Sequence, residues 1–310
     1  MSTILITGGT GMIGTQLAKL LLAQQHRVIV LTRDAHKIKH KHPGIRYANW
    51  DAGNQTIDEK AVADADHVIH LAGAGVADER WSEKRKKEIV ESRTQSSALL
   101  VKAMHDVPNK IKTVVSASAI GWYGPDTEAS REQGFVETQP ADTAFLGETC
   151  RLWEESIEPV TALGKRLVKL RTGIVLSKTG GALEEFKKPL KAFVAAVLGD
   201  GKQIVSWIHI DDLCRMYIDA IGNENLHGVY NAVAPGPVSN KTLTIALAKT
   251  LRGNSFVTIH VPSFVLKAML GEMSIEVLKS ATVSSKKIEA AGFAFRFPTI
   301  GDALRDLVRG

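Results

Sequence analysis

The run TILITGGTGMIG, residues 3–14, decides the fold. An apolar stretch, Thr3–Thr7, reads as a strand, and apolar residues then recur at helical spacing from Ile13 to Gln24, with glycines between at Gly8, Gly9, Gly11 and Gly14. A strand that turns through such glycines straight into a helix is the setting of a dinucleotide-binding loop. Gly8 permits the tight turn, Gly11 lets the backbone of Thr10, Gly11, Met12 and Ile13 approach a pyrophosphate, and Gly14 lets helix and strand pack closely. The free N–H groups and positive dipole end of the helix then face the anion.

The next strand, Arg27–Thr32, ends in Leu31-Thr32-Arg33. At this place NAD-selective proteins carry an acid for the ribose 2′-hydroxyl, so Arg33 beside Thr32 points to a 2′-phosphate and to NADP(H) in preference to NAD(H). Asp34 leaves a ribose-binding alternative open if the strand ends one residue later.

Further along, strands are expected at Arg46–Trp50, His67–Ala72, Lys112–Ser118 and Arg166–Leu176, with helices at Lys84–His105 and Leu146–Thr161. Such alternation predicts an α/β fold, a Rossmann-type doubly wound parallel sheet. After Leu176 the rhythm breaks at a turn-rich Lys178–Leu183 and at later glycine and proline punctuation. We therefore expect a dinucleotide-binding domain over residues 1–176, with returns to the sheet within 203–233, and a smaller C-terminal α/β lobe over 177–310.

Composition narrows the partners. The chain has 310 residues, 44% hydrophobic and 23% charged, and a formal charge of +6, a small excess that gives little reason for a nucleic-acid partner. Two cysteines, no secretory signal and no apolar run of the ~20 residues needed to span a bilayer predict a cytoplasmic protein without a membrane partner. His36, His40 and His42 alternate with lysines, which argues against a metal site.

The glycine loop, with His70-Leu71-Ala72-Gly73, Arg80-Trp81, Glu91-Ser92-Arg93, Ser116 to Gly124 (SASAIGWYG), Arg171 to Leu176 (RTGIVL) and Ser206 to Asp212 (SWIHIDD), resembles the extended short-chain dehydrogenase/reductase superfamily. Within it the chain is similar to the epimerase family, the NAD-dependent epimerase/dehydratase-like branch, whose small terminal domain resembles Gly271–Phe295. The resemblance spans nearly the whole chain. It implies a cofactor groove over the carboxyl ends of the strands, with Leu71 and Ala72 at the adenosine and pyrophosphate and Asp51 and Ala52 at the adenine edge. Gly73 and Ser116 line the same groove, Arg93 meets a phosphate or ribose oxygen, Glu88 orients Arg93, and Thr172 and Val175 lie by the nicotinamide. Asp211 or Asp212 would cap a helix, and a homodimer through the two long helices is the pairing such proteins often use.

In this superfamily a serine holds the substrate oxygen while a tyrosine, acidified by a lysine four residues on, exchanges the proton. None of Tyr47, Tyr123, Tyr217 and Tyr230 has a lysine at that spacing. Leu146 and Cys150 stand at the two positions, and neither supplies a proton or a cation. Ser118 and Tyr123 are the remaining catalytic candidates, with Glu148 behind them. Two functions stay open. One is an NADP(H)-dependent oxidoreductase or epimerase acting on a small carbonyl or sugar-like substrate, and the other is a catalytically silent NADP(H)-binding or sensing protein.

Overall fold

A computed structural model describes residues 1–38 and 40–309; Lys39, in the basic stretch after Arg33, and Gly310 lie outside the described residues. In chain order the first half runs β1 (Thr3–Thr7), α1 (Met12–Ala23), β2 (Arg27–Thr32), β3 (Ile45–Asp51), β4 (Thr56–Ile57), α2 (Glu59–Asp64), β5 (His67–His70), α3 (Glu83–Asp106) and β6 (Thr113–Ala119). It continues through α4 (Glu128–Gln133), α5 (Phe145–Ile157), β7 (Arg166–Thr172), β8 (Ile174–Leu176), α6 (Ala182–Leu190), β9 (Val194–Leu198), β10 (Ile204–Val205), β11 (Trp207–His209) and α7 (Ile210–Gly222). The remainder is β12 (Gly228–Ala232), β13 (Val238–Ser239), α8 (Asn240–Arg252), β14 (Val257–Val261), α9 (Ser263–Leu270), α10 (Ser274–Leu278), α11 (Lys286–Ala290) and α12 (Ile300–Arg309). No helix of the described residues is long and apolar enough to cross a membrane.

The main sheet has the order β12-β7-β6-β5-β1-β2-β3-β4, parallel except where β4 meets β3. Chain order runs outward in one direction from β1 and in the other from β5, so the connections part above these two neighbours and leave a crevice at their carboxyl ends. Both faces of the sheet are apolar and covered, as a parallel sheet requires. Ile4, Ile6, Val28 and Val30 pack against α1 and α7, while Leu5, Ile29, Val68 and Val114 pack on the side of Leu99, Leu100 and Ile157.

Several boundaries differ from the sequence expectation. The stretch Arg166–Leu176 is two strands, not one. Gly173 sits where a Cβ would lie 2.6 Å from the Ser206 carbonyl, and the chain leaves β7 there to pair β8 with β11. The segment expected as a turn over Lys178–Leu183 is a turn only to Gly181, with α6 starting at Ala182. The cap of α7 is neither aspartate: His209 Nδ1 accepts the Asp211 N–H at 3.0 Å, and buried Asp212 instead accepts the N–H groups of Arg296 and Phe297.

A buried polar cluster fixes the end of β5 against β1. Thr7 Oγ1 accepts from Leu71 N–H at 3.1 Å and Ala72 N–H at 3.2 Å, so its own proton goes to His70 Nδ1 at 2.7 Å. That assignment leaves His70 neutral with its proton on Nε2, toward Ser97 Oγ at 3.1 Å. Complete burial, and then the charge of Arg93, push the His70 pKa from 6.5 down to about 3. Between those values the unfolded chain binds a proton that the folded chain refuses, so stability falls as pH drops through the window, by up to ~1.4 kcal/mol per pH unit. Urea titrations from pH 7 to 4 should show the stability gap between the wild type and His70→Gln narrowing as pH falls. Parallel pH profiles for the two proteins would contradict the assignment; His67 and His209 act on both alike.

Candidate functional site

The glycine loop stands at the crevice. Gly8 has φ of +67°, and a Cβ on it would lie 2.9 Å from the Leu71 carbonyl carbon, which joins the loop to the end of β5. A Cβ at Gly14 would fall 2.5 Å from Gly8 O and from Gly9 Cα, so helix and loop meet backbone to backbone there. Gly11 is different. It is exposed, and a Cβ on it would meet only Gly8 O at 3.4 Å, which leaves the outer side of the loop open. Gly11 is also the N-cap of α1, where no side chain caps the helix and the first turn holds no acid. An uncapped helix start beside open space fits a phosphate.

One wall of the crevice escaped the sequence reading. The Gly180-Gly181 turn, with φ of +107° and +71°, folds over the loop so closely that a Cβ at Gly181 would touch Met12 Cε at 3.3 Å. The paired glycines were the signal available in the sequence.

At the end of β2, Thr32 is half-buried and Arg33 exposed, over a hollow lined by Asn49, Trp50, Asp51 and Ile57. Neighbouring carboxylates are engaged elsewhere. Asp34 accepts the backbone N–H of His36 at 2.9 Å and pairs with Lys37 at 3.2 Å, contacts that hold its pKa below the usual value. Asp51 accepts from Asn54 and Gly53 in the turn that follows it, with Ala52 between, and its pKa is likewise lowered by those bonds and more weakly by Arg33.

Arg93 on α3 is 8% exposed. Its Nη1 donates to Ala74 O at 3.1 Å and Ile89 O at 2.8 Å, its guanidinium carbon lies 4.8 Å from the Trp153 ring centre, and a Cβ at exposed Gly73 would stand 3.2 Å from that carbon. Glu88 does not orient it. Glu88 pairs with Arg85 at 2.8 Å, because residues three apart share a helix face and residues five apart do not. Thr172 and Val175 are half-buried on either side of Gly173.

The expected catalytic hydroxyls lie inside the protein rather than at the crevice. Ser118 is 2% exposed and donates to Glu154 Oε1 at 2.7 Å, the oxygen that also accepts from Arg171 Nε at 2.8 Å. Ser116, on the same strand face, is buried and donates to Ala117 O. Tyr123 is 1% exposed and stacked on Phe135 with ring centres 5.0 Å apart. Its hydroxyl accepts from Arg171 Nη1 at 3.1 Å and donates to Asn231 Oδ1 at 2.7 Å, and burial pushes its pKa up to about 12. Glu148 forms an ion pair with Arg151 on the surface of α5. The dyad positions are closed too. A Cβ at Gly121 would meet Leu146 Cβ at 3.2 Å and Cys150 Sγ at 3.6 Å, and burial raises the Cys150 thiol to about 12. Leu146 and Cys150 thus pack against Gly121, and neither side chain is a proton donor at ordinary pH.

A family model described as NAD dependent epimerase/dehydratase family matches residues 4–145, and one described as a domain of unknown function (DUF1731) matches residues 261–307. An epimerase family protein of Staphylococcus saprophyticus is 37% identical over 308 residues, 99% of this chain and 100% of the relative. Another, from Staphylococcus epidermidis, is 35% identical over 309 residues, all of both chains. Among solved structures, a human epimerase family protein with NADPH superposes at a TM-score of 0.85 with 29% identity, covering 99% of each chain. A nucleoside-diphosphate sugar epimerase from Corynebacterium glutamicum gives 0.77 with 31% identity, over 99% of this chain and 58% of that one.

Proposed function

The chain belongs to the epimerase family, and on that premise we propose that it is an NADP(H)-holding protein that does not run the family's serine-tyrosine-lysine chemistry. The observation that carries this reading is that the hydroxyls of Ser118 and Tyr123 are engaged in a buried network away from the crevice, while Leu146 and Cys150 stand where the resemblance puts the dyad. The uncapped start of α1 would take the pyrophosphate and Arg33 the 2′-phosphate. Leu71, Ala72 and Gly73 would wall the groove between them, and Thr172 and Val175 would border the nicotinamide. When bound, the dinucleotide supplies a hydride donor or acceptor. The chain's own contribution is to bind and orient it, the hydroxyls of Ser118 and Tyr123 being engaged with Glu154 and Asn231. The human relative solved with NADPH supports the choice of phosphorylated cofactor.

Mixing the protein and NADPH with a panel of small carbonyl compounds and nucleotide sugars should give saturable binding with no consumption above the protein-free rate. Tyr123→Phe removes the donor to Asn231 and the acceptor of Arg171, which should lower stability by about 1–3 kcal/mol in urea titration and leave NADPH affinity unchanged. Turnover of any substrate that Tyr123→Phe or Ser118→Ala abolishes, with affinity intact, would overturn the reading in favour of an oxidoreductase or epimerase.

A further inference from the structure

The exposed apolar side chains of this protein gather on the C-terminal lobe. Among the described residues the large ones include Phe193, just before β9, then Val257, Ile259, Phe264, Met269 and, in α10, Ile275. None lies on α3 or α5, so the long helices through which the resemblance pairs two chains carry no such side chain. Apolar surface grouped in this way marks a contact with another molecule.

Strand β14, VTIHV, is the uncovered element. It pairs with β9 alone, in parallel register from Val257 opposite Val194 to Val261 opposite Leu198. Ala195 and Val197 turn one face of the pair onto α6 and α8 and are fully buried. Alternation puts Val257 and Ile259 on the other face with Val194 and Ala196, and there they are 62% and 48% exposed. Parallel strands are ordinarily covered on both faces.

The edge is open as well. Val257 N–H donates to Phe193 O and Val261 O accepts from Gly199 N–H, both at 2.9 Å, so the backbone groups of Val257, Ile259 and Val261 point to β9. Those of Thr258 and His260 therefore point outward, and no described strand takes them. The His260 ring folds back instead, its Nδ1 donating to Gly199 O at 3.0 Å. Proteins blunt such edges with lysine, proline, a bulge or a covering helix. Here no formally charged residue lies between Arg252 and Lys267, and Pro262 comes only after the strand.

The strand itself identifies its partner. Its apolar residues read alike from either end, so a two-fold axis at Ile259 sets Val257 against the partner's Val261 and Ile259 against the partner's Ile259. An uncharged edge also offers nothing to select the charge pattern of a foreign strand. We infer that β14 pairs with β14 of a second copy of this chain, antiparallel, through the outward backbone groups of Thr258 and His260. The product is a four-stranded sheet with β9 at each end. Interfaces below about 1,200 Å² belong to weak, transient pairs, and a single five-residue strand falls in that class, so the dimer forms with concentration.

Sedimentation velocity of the full chain, from micromolar to millimolar concentration, should show a monomer passing into a dimer. Ile259→Lys sets an ammonium against its own copy across the axis and should weaken the dimer at least tenfold. Because Ile259 is already half exposed, the melting temperature of the dilute monomer should not change. The register is tested separately by disulfide formation. Residues opposed outside the hydrogen-bonded pairs have Cα atoms about 4.5 Å apart, within disulfide reach, while residues two out of step lie beyond it. Ile259→Cys should therefore link two chains on oxidation, and Thr258→Cys, which faces the partner's His260, should not; both native cysteines are buried. A wild type that stays monomeric at millimolar concentration would leave the edge to a foreign strand and overturn the inference. So would a dimer unaffected by Ile259→Lys, or equal linking by the two cysteine variants.

Discussion

Gly11→Asp is expected to weaken NADPH binding at least 100-fold while leaving the fold intact. Position 11 is exposed, its φ of −77° suits any residue, and an added Cβ meets only Gly8 O at 3.4 Å. Aspartate is a favourable N-cap and an acid at the start of α1 complements the helix dipole, so the ligand-free variant should melt at or above the wild type. The same carboxylate would sit where the pyrophosphate is proposed to lie. Two like charges ~4 Å apart repel by about 4 kcal/mol near a protein surface, and 1.4 kcal/mol is a factor of ten in affinity. Gly14→Ala offers the contrast. Its Cβ would lie 2.5 Å from backbone atoms of Gly8 and Gly9, so it should disturb the loop itself and lower Tm. Calorimetric titration and thermal melts of both variants separate a lost ligand from a lost fold. Unaltered NADPH affinity in Gly11→Asp would remove the phosphate from the loop.

Arg33→Ser should cost about 10- to 100-fold in NADPH affinity and change NADH by no more than about twofold. Hydrogen bonds to charged groups contribute roughly 1.5–3 kcal/mol, and a guanidinium fork matches a phosphate in a way serine does not. The carboxylates on either side do not stand in for the lost selectivity. Asp34 stays bound to the His36 and Lys37 backbone, and Asp51 to Gly53 and Asn54. If the two nucleotides weakened equally, Arg33 would be a general source of positive field rather than the reader of the 2′-phosphate.

The parts of this protein written in local pattern were legible. The glycine spacing at residues 8–14, the alternation of strand and helix, and the absence of lysine at position 150 all depend on neighbours within one element, and the parallel sheet follows from them. What escaped depends on contacts between distant segments. Tyr123 stands in a Tyr-Gly pair that resembles a substrate loop, yet its hydroxyl is decided by Arg171 and Asn231, 48 and 108 residues away. Ser118 reads as a substrate-holding serine, yet its hydroxyl donates its hydrogen bond to Glu154 from α5. Gly173 divides what reads as one strand because β11 and β12 crowd it, through Ser206 O and the Val233 side chain that follows β12. The cap of α7 fell to His209, whose ring also stacks on Phe297 at 3.8 Å, a partner supplied by the C-terminal segment. Glu88 is the exception, since helical spacing alone puts Arg93, five residues on, off its face and leaves Lys84 or Arg85 as its partner, of which the structure uses Arg85.

We propose that the crevice above β1 and β5 holds a nicotinamide dinucleotide and prefers the phosphorylated form. Following the emission of reduced nicotinamide as unmodified protein is titrated with NADPH, and separately with NADH, tests it directly. Saturation at one NADPH per chain, with NADH at least tenfold weaker, is the expected result. No binding of either nucleotide at millimolar concentration, or equal affinity for the two, would contradict it.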